Sequence, residues 1–296
     1  MVLWEHYAPP GSLHTVRKGT LAASFWRSRP LAGTLWVNRN RTLTMMHELP
    51  SLTLPGVTID NLKARCATCS MHQLCLPMGL DMGDMDKLDK IIGRRRKVQK
   101  GENLFRIGDP FTNLYAIRLG HFKTYQINAN GEEQVTGFQM GGELLGMDAI
   151  STDKHYCSAM ALEDSEVCEI PFASLEHLLV DMPTLLRHFH RMMSQEITRE
   201  QSVMLLLGNM QATQRFAAFL VNLASRYEAR GYSSTAFQLR MSREDIGNYL
   251  GLTIESISRL LNKFKKQGLL KVSNREIEVL DLPRLKAITA GTETCA

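Results

Sequence analysis

Residues 241–268 read MSREDIGNYLGLTIESISRLLNKFKKQG, and this stretch decides the fold of the C-terminal part of the chain. Ser242 carries a short hydroxyl suited to a helix start, and Asp245 three residues later completes a capping box. The helix that follows runs through Ile246 and Tyr249-Leu250 to Gly251, a residue that takes left-handed backbone at a helix end. Thr253 opens a second helix, whose apolar residues Ile254, Ile257, Leu260, Leu261 and Phe264 keep three-and-four spacing. Gly268 closes it, and Lys271 to Asp281 reads as a β-hairpin with Ser273-Asn274 at its tip. Helix, glycine-bearing turn, helix and hairpin spell a winged helix-turn-helix, an arrangement suited to the major groove of double-stranded DNA.

Charge agrees once it is divided along the chain. The net charge of +5 resides in residues 1–46, where six Arg/Lys (Arg17, Lys18, Arg27, Arg29, Arg39, Arg41) face one acid, Glu5. The remaining 250 residues sum to zero, yet Arg240 to Arg275 holds eight basic residues against three acids. A basic run alone is most often a solvated face. Beside a helix-turn-helix it is the footprint of a phosphate-backbone binder.

The chain is long enough for two domains, and its 44% hydrophobic and 22% charged content is that of a globular protein. No apolar run reaches the roughly 18 residues a membrane span needs, and no signal peptide is read, so a cytoplasmic protein is expected. All three tryptophans (Trp4, Trp26, Trp36) fall in the basic opening stretch, which shows no sustained periodicity. Residues 1–45 are read as a disordered extension, with Met45 or Met46 as a candidate true start. Residues 46–90 form a cysteine-rich segment. From 91 to 180, short β-rich runs (Asn103 to Ile107, Leu114 to Arg118, Phe122 to Ile127, Gln134 to Gln139, Val167 to Ile170) alternate with glycine turns, as in a compact β-roll. A helical block from Ser174 to Ala229 follows; 181–210 is assigned to a dimerisation helix, 211–285 to the winged helix-turn-helix and 286–296 to a tail.

Within that block Leu186, Met193, Glu200 and Leu207 lie seven apart, as do His190, Ile197 and Met204, forming a heptad seam. Such a seam is commonly buried within its own subunit. A carboxylate in it is unusual, because a two-fold axis would bring each Glu200 near its copy, where like charges repel.

Of the six cysteines, Cys66, Cys69 and Cys75 form a C-x2-C-x5-C cluster. In a cytosolic chain clustered cysteines bind metal or do redox work more often than they form structural disulfides. Three thiolates leave a four-ligand site one short. Composition does not choose the fourth among Cys157, Cys168 and Cys295, nor separate zinc from iron–sulfur. A lone strand cysteine such as Cys168 more often packs as a small hydrophobe.

The stretch from Asp245 to Thr253, followed by Glu255-Ser256-Ile257-Ser258-Arg259-Leu260-Leu261, resembles the Crp/Fnr family of bacterial regulators, in its oxygen-sensing fumarate-and-nitrate-reduction branch. The likeness runs from about Cys66 to Asp281. It implies an α+β fold: a cyclic-nucleotide-binding-like β-roll sensor domain, a long dimerisation helix and a C-terminal winged helix-turn-helix. It implies that Glu255, Ser258 and Arg259 read bases in a two-fold TTGAT-N4-ATCAA-like site, for which an Arg bidentate to guanine and a Glu accepting from cytosine are chemically apt. It further implies that Cys66, Cys69, Cys75 and Cys168, the last within Val167-Cys168-Glu169-Ile170, hold a [4Fe-4S] cluster. In this branch an acid at the place of Glu200 disfavours the homodimer until the cluster is present, with Ile197 beside it in the seam, and surface loops contact RNA polymerase. The function so implied is oxygen-responsive transcription regulation controlling anaerobic gene expression.

The competing readings are a Crp-like regulator of another small ligand, a structural zinc site, or an enzyme. A cyclic-nucleotide pocket needs Gly-Glu and a later Arg-Ser or Arg-Thr pair; Gly142-Glu143 is present, but the later pair is Cys157-Ser158, which lacks the phosphate-clamping guanidinium. No cyclic nucleotide is therefore expected. No nucleophile–base pair or phosphate-binding glycine loop points to an enzyme, and His155, near Asp153, is read as a surface residue.

Overall fold

The computed structural model describes residues 65–292 apart from Ala129. The expected extension at 1–45 and Cys295 lie outside the described residues.

The cysteine loop begins with a short 3-10 turn, Cys66–Thr68, and leads into α1 (Met82–Ile91), whose first turn is capped by Asp81 accepting from the Asp84 amide at 2.8 Å. Eight strands follow: β1 (Arg94–Val98), β2 (Asn103–Phe105), β3 (Asn113–Leu119), β4 (His121–Ile127), β5 (Glu133–Met140), β6 (Leu144–Leu145), β7 (Ser158–Ala161) and β8 (Ser165–Pro171). They form two antiparallel sheets, in the orders β1-β8-β3-β6 and β2-β7-β4-β5. Leu104, Ile117, Phe122, Ala159 and Val167 are buried together in one core of this β-roll. Each large apolar side chain so removed from water is worth roughly 1.5–3 kcal/mol. A second core joins Leu76 and Leu80 of the cysteine loop and Leu88 of α1 to Leu114, Ile170 and Leu185.

Strands β1 and β7 carry no strand signal in the sequence: Arg94-Arg95-Arg96-Lys97 is too basic for a strand pattern, and β7 is only three small side chains and a methionine. His155 departs from its reading as a surface residue. It is 3% exposed, with its ring stacked on Phe105 at 3.7 Å between centroids. The segment folds inward because the His155 amide and carbonyl both bond the Gly108-Asp109 turn, and an imidazole's apolar faces pack well against a phenyl ring.

The helical block is three helices: α2 (Phe172–Asp181), α3 (Pro183–Asn209) and α4 (Ala212–Glu228). Pro183 makes the first break, since it lacks an amide hydrogen and pushes Met182 out of helical backbone, to φ −128°. The second break is at Met210, which is extended (φ −102°, ψ 146°), and a Gln211/Gln214 capping box restarts the chain as α4. The remaining elements are β9 (Ala236–Gln238), α5 (Arg243–Leu250), α6 (Ile254–Lys266), β10 (Leu270–Ser273), β11 (Glu276–Val279) and α7 (Leu282–Thr289). Strands β10, β11 and β9 make the wing sheet. Ser273 pairs with Glu276, so the wing turns on Asn274-Arg275, one residue later than expected, with Asn274 at φ +56°. Asn tolerates that left-handed conformation better than Ser. Among the described residues no helix is long and apolar enough to cross a membrane.

The winged helix docks on the β-roll through the edge strand β5. The Asn248 carboxamide accepts from the Val135 amide and donates to the Glu133 carbonyl, both at 2.5 Å. An edge strand presents unpaired backbone groups, and this side chain satisfies two of them. The Glu143 carboxylate, just beyond β5, receives Arg226 and Arg230 of the α4 end at 2.7 Å each, and Arg199 of α3 at 3.5 Å.

Candidate nucleic-acid interface and cysteine pocket

Helix α6 owes its place to two glycines of α5 and its turn. A Cβ on Gly247 would stand 2.6 Å from the Leu252 carbonyl, so only glycine lets the turn close over α5. Gly251 follows at φ +62°, in the left-handed cap position. Ser242 accepts from the Asp245 amide and Asp245 returns to the Ser242 amide, the reciprocal box expected at the start of α5. Thr253 likewise accepts from the Ser256 amide at the start of α6. Ile257, Leu260, Leu261 and Phe264 are buried on one face of α6. Glu255 and Arg259 are exposed on the other, and Ser258, half-buried, receives a long bond from Arg243 at 3.4 Å. The three residues expected to read bases thus share the uncovered face near the start of α6. The Glu255 carboxyl lies below its usual range, because backbone and Thr253 hydrogen bonds at the helix start stabilise the anion.

The second site is a pocket lined by Cys66, Cys69, Cys75 and Cys168, with Met71, His72, Arg95 and Arg118 also on its wall. Strand pairing delivers Cys168 there: on β8 it sits between Arg95 of β1 and Ala116 of β3. The Cys66 amide donates to Asp89 of α1 at 2.8 Å, fixing the loop's start. His72 bonds the Cys69 carbonyl through Nδ1 at 2.8 Å. His188 of α3 bonds the Cys75 carbonyl through Nε2 at 3.1 Å, linking the cysteine loop to the long helix. Burial pushes the Cys75 thiol up to about 12 and raises Cys66 and Cys168 as well, with Asp89 adding to the rise at Cys66.

The wall fits a sulfur-rich anionic group in one further respect. The Nε–H of Arg118 is buried without a hydrogen-bond partner, while its Nη1 holds Glu166 at 2.9 Å. An orphaned buried donor is costly unless an acceptor meets it. Among the described residues, however, no three His, Cys, Asp or Glu side chains stand at metal-holding separations. The thiols line a common pocket without converging on a point. Arg118, Asp89 and His188 were missed in the sequence, since only strand register and helix packing bring them to the cysteines.

The expected dimer residues lie on α3. Ile197 and Met204 are 53% and 72% exposed, and Glu200 is exposed between them, whereas Leu185, His188 and Phe189 are buried on another face. Leu186 and Met193, from the other row of the seam, pack partly within the subunit. Cys157 is buried, with its thiol donating to Asp148 at 3.5 Å, and takes no part in the cysteine pocket.

A β-roll joined through a long helix to a winged helix-turn-helix, with polar side chains outward on its second helix, defines the class of DNA-binding transcription regulators. A model of the Crp-like helix-turn-helix domain matches residues 214–288, and one of the cyclic nucleotide-binding domain matches residues 95–181. The chain is 47% identical over 231 residues to the fumarate and nitrate reduction regulatory protein of Salmonella typhimurium, covering 78% of this chain and 92% of that protein. It is 49% identical over 229 residues to the anaerobic regulatory protein of Pasteurella multocida, covering 77% and 84%. The solved structure of FixK2 from Bradyrhizobium japonicum superposes with a TM-score of 0.61 at 30% identity, covering 66% of this chain and 96% of that one. The chain belongs to the Crp/Fnr family of transcription regulators.

Proposed function

We propose that this regulator responds to oxygen through a four-iron iron–sulfur cluster held by Cys66, Cys69, Cys75 and Cys168, and that it controls anaerobic gene expression from the cytoplasm. One observation carries the reading: four cysteines, one from a distant strand, line a single pocket with an unpartnered Arg118 donor on its wall. The names of the Salmonella and Pasteurella relatives support it. The cluster supplies a redox- and oxygen-labile centre. The chain's residues supply four thiolates, the buried Nε–H of Arg118, and a His188 contact through which the cysteine loop touches α3. Two copies associate along the exposed Ile197–Met204 row, and Glu200 opposes that association when the loop does not hold α3 in place. The dimer then reads a TTGAT-N4-ATCAA-like site through Glu255, Ser258 and Arg259, and surface loops contact RNA polymerase.

A cyclic-nucleotide ligand is disfavoured by two features. The Glu143 carboxylate, at the ribose-holding position, is engaged by Arg199, Arg226 and Arg230. Ser158 is buried and accepts from the Ile107 amide at 3.0 Å, and Cys157 before it offers no guanidinium. The experiment that tests the proposal is purification without oxygen, followed by a visible spectrum and iron and acid-labile sulfide analysis. Four iron and four sulfide per chain, lost in air, are expected. Colourless protein with stoichiometric zinc overturns the cluster and leaves a structural metal site.

A further inference from the structure

Arg215 lies near the start of α4, and its guanidinium spends three donors on the ends of two other helices. Nη2 donates to the Leu207 carbonyl at 2.8 Å, Nε to the Met210 carbonyl at 2.9 Å and Nη1 to the Leu250 carbonyl at 3.1 Å. Leu207 is in the last turn of α3 and Met210 is its C-cap, while Leu250 is the last residue of α5. Final-turn carbonyls have no partner within their own helix, and they form the negative end of the helix dipole. Two such ends converge on one cation whose planar fork can serve both at once.

The location gives this contact its consequence. Helix α3 carries the dimer seam and α5 presents the recognition helix α6. The chain passes between α3 and α4 at Met210-Gln211, where both residues have extended backbone. We propose that Arg215 is a positioning residue that fixes the angle between the dimerisation helix and the helix-turn-helix, and so the spacing of half-sites a dimer accepts. The proposal rests on the two-fold DNA site put forward above. Within the helix-turn-helix Arg215 hydrogen-bonds the Leu250 carbonyl, whereas the Gly247–Leu252 approach, the Ser242/Asp245 box of α5 and the Thr253 cap of α6 are made without it. Each α6 then reads its own half-site as before, while the distance between the two copies becomes loose.

The test uses the full chain purified without oxygen and labelled duplexes whose half-sites are separated by three, four or five base pairs. A fourth duplex keeps the four-pair spacer but replaces one half-site guanine. The parent is expected to prefer the four-pair spacer by about tenfold, equivalent to about 1.4 kcal/mol. Arg215→Gln should bring the three spacers within about twofold of one another while keeping the penalty for the replaced guanine. Arg215→Lys, a point charge that reaches one carbonyl, should fall between, with a parent-like sedimentation coefficient. If Arg215→Gln does not fold, Arg215→Lys decides alone: a reduced spacer preference supports the proposal and an unchanged one overturns it. A folded variant that loses guanine and spacer preference together also overturns it. A parent without preference for the four-pair spacer overturns the two-fold site itself and this inference with it. A parent with that preference and an Arg215→Gln protein that keeps it overturn the inference alone.

Discussion

Lys123 of β4 and Asp245 of α5, which lie 122 residues apart in the chain, meet at 2.8 Å in a nearly dry contact. Lys123 also donates to Glu133 at 2.5 Å, and Asp245 is the same residue that caps α5. One carboxylate therefore both starts the helix-turn-helix and fastens it to the β-roll. Burial works against the charge on each partner, yet hydrogen bonding and attraction raise Lys123 and lower Asp245. Lys123→Ala should destabilise the chain by about 1–3 kcal/mol, since it strands Asp245 partly buried. Amide exchange in α5 should quicken more than exchange in β3, and equal quickening in both would count against a fastening role.

The Glu143 junction gives a pH dependence of defined sign. Burial raises its carboxyl, but the guanidinium groups of Arg226, Arg199 and Arg230 outweigh that and hold it at about 2. A carboxylate depressed on folding adds stability that is complete above its ordinary range near 4.5 and is lost as pH falls toward 2. Glu143→Gln should therefore melt lower than the parent at pH 7. The gap should narrow as pH drops from about 5 toward 2, which thermal scans across that range would measure.

Single Cys→Ala replacements at 66, 69, 75 and 168 should each abolish the visible spectrum and iron of anaerobically purified protein. Cys157→Ala should keep both, because its thiol bonds Asp148 away from the pocket. Iron-loaded Cys168→Ala protein would remove that residue as the fourth ligand.

Arg259→Ala should weaken operator binding by about 1–3 kcal/mol and relax selectivity at one guanine in each half-site. Binding titrations against a panel of single-base variants provide the measurement. Unchanged affinity and selectivity would mean that the outward face of α6 reads DNA through other side chains.

For the dimer, like charges about 4 Å apart repel by roughly 4 kcal/mol at an effective dielectric of 20. A third of that is about a tenfold change in an association constant. Glu200→Ala is thus expected to dimerise and bind DNA in air. Ile197→Glu should stay monomeric even without oxygen, since it puts a charge on the exposed apolar row of α3. Sedimentation of both in the two atmospheres checks this, and a monomeric Glu200→Ala protein in air would place the interface on another face of α3.

The sequence by itself determined the helix-turn-helix almost residue by residue. Cap boxes, glycine ends and three-and-four apolar spacing are local signals, and α5, Gly251, Thr253 and α6 depend on little beyond their own neighbours. The cysteine spacing, the heptad spacing on α3 and the β-rich runs ahead of it were legible too, because these are also written in short spacings. Only the tertiary structure decided which groups surround the cysteines, since strand register seats Cys168 between Arg95 and Ala116, and no spacing in the chain encodes that pairing. The inward turn of His155, the sharing of Glu143 by three arginines, the Lys123–Asp245 contact and the reach of Arg215 to the end of α5 are of the same kind. Each joins segments far apart in sequence, and a long-range contact is selected by the packing of the whole molecule rather than by the residues beside it.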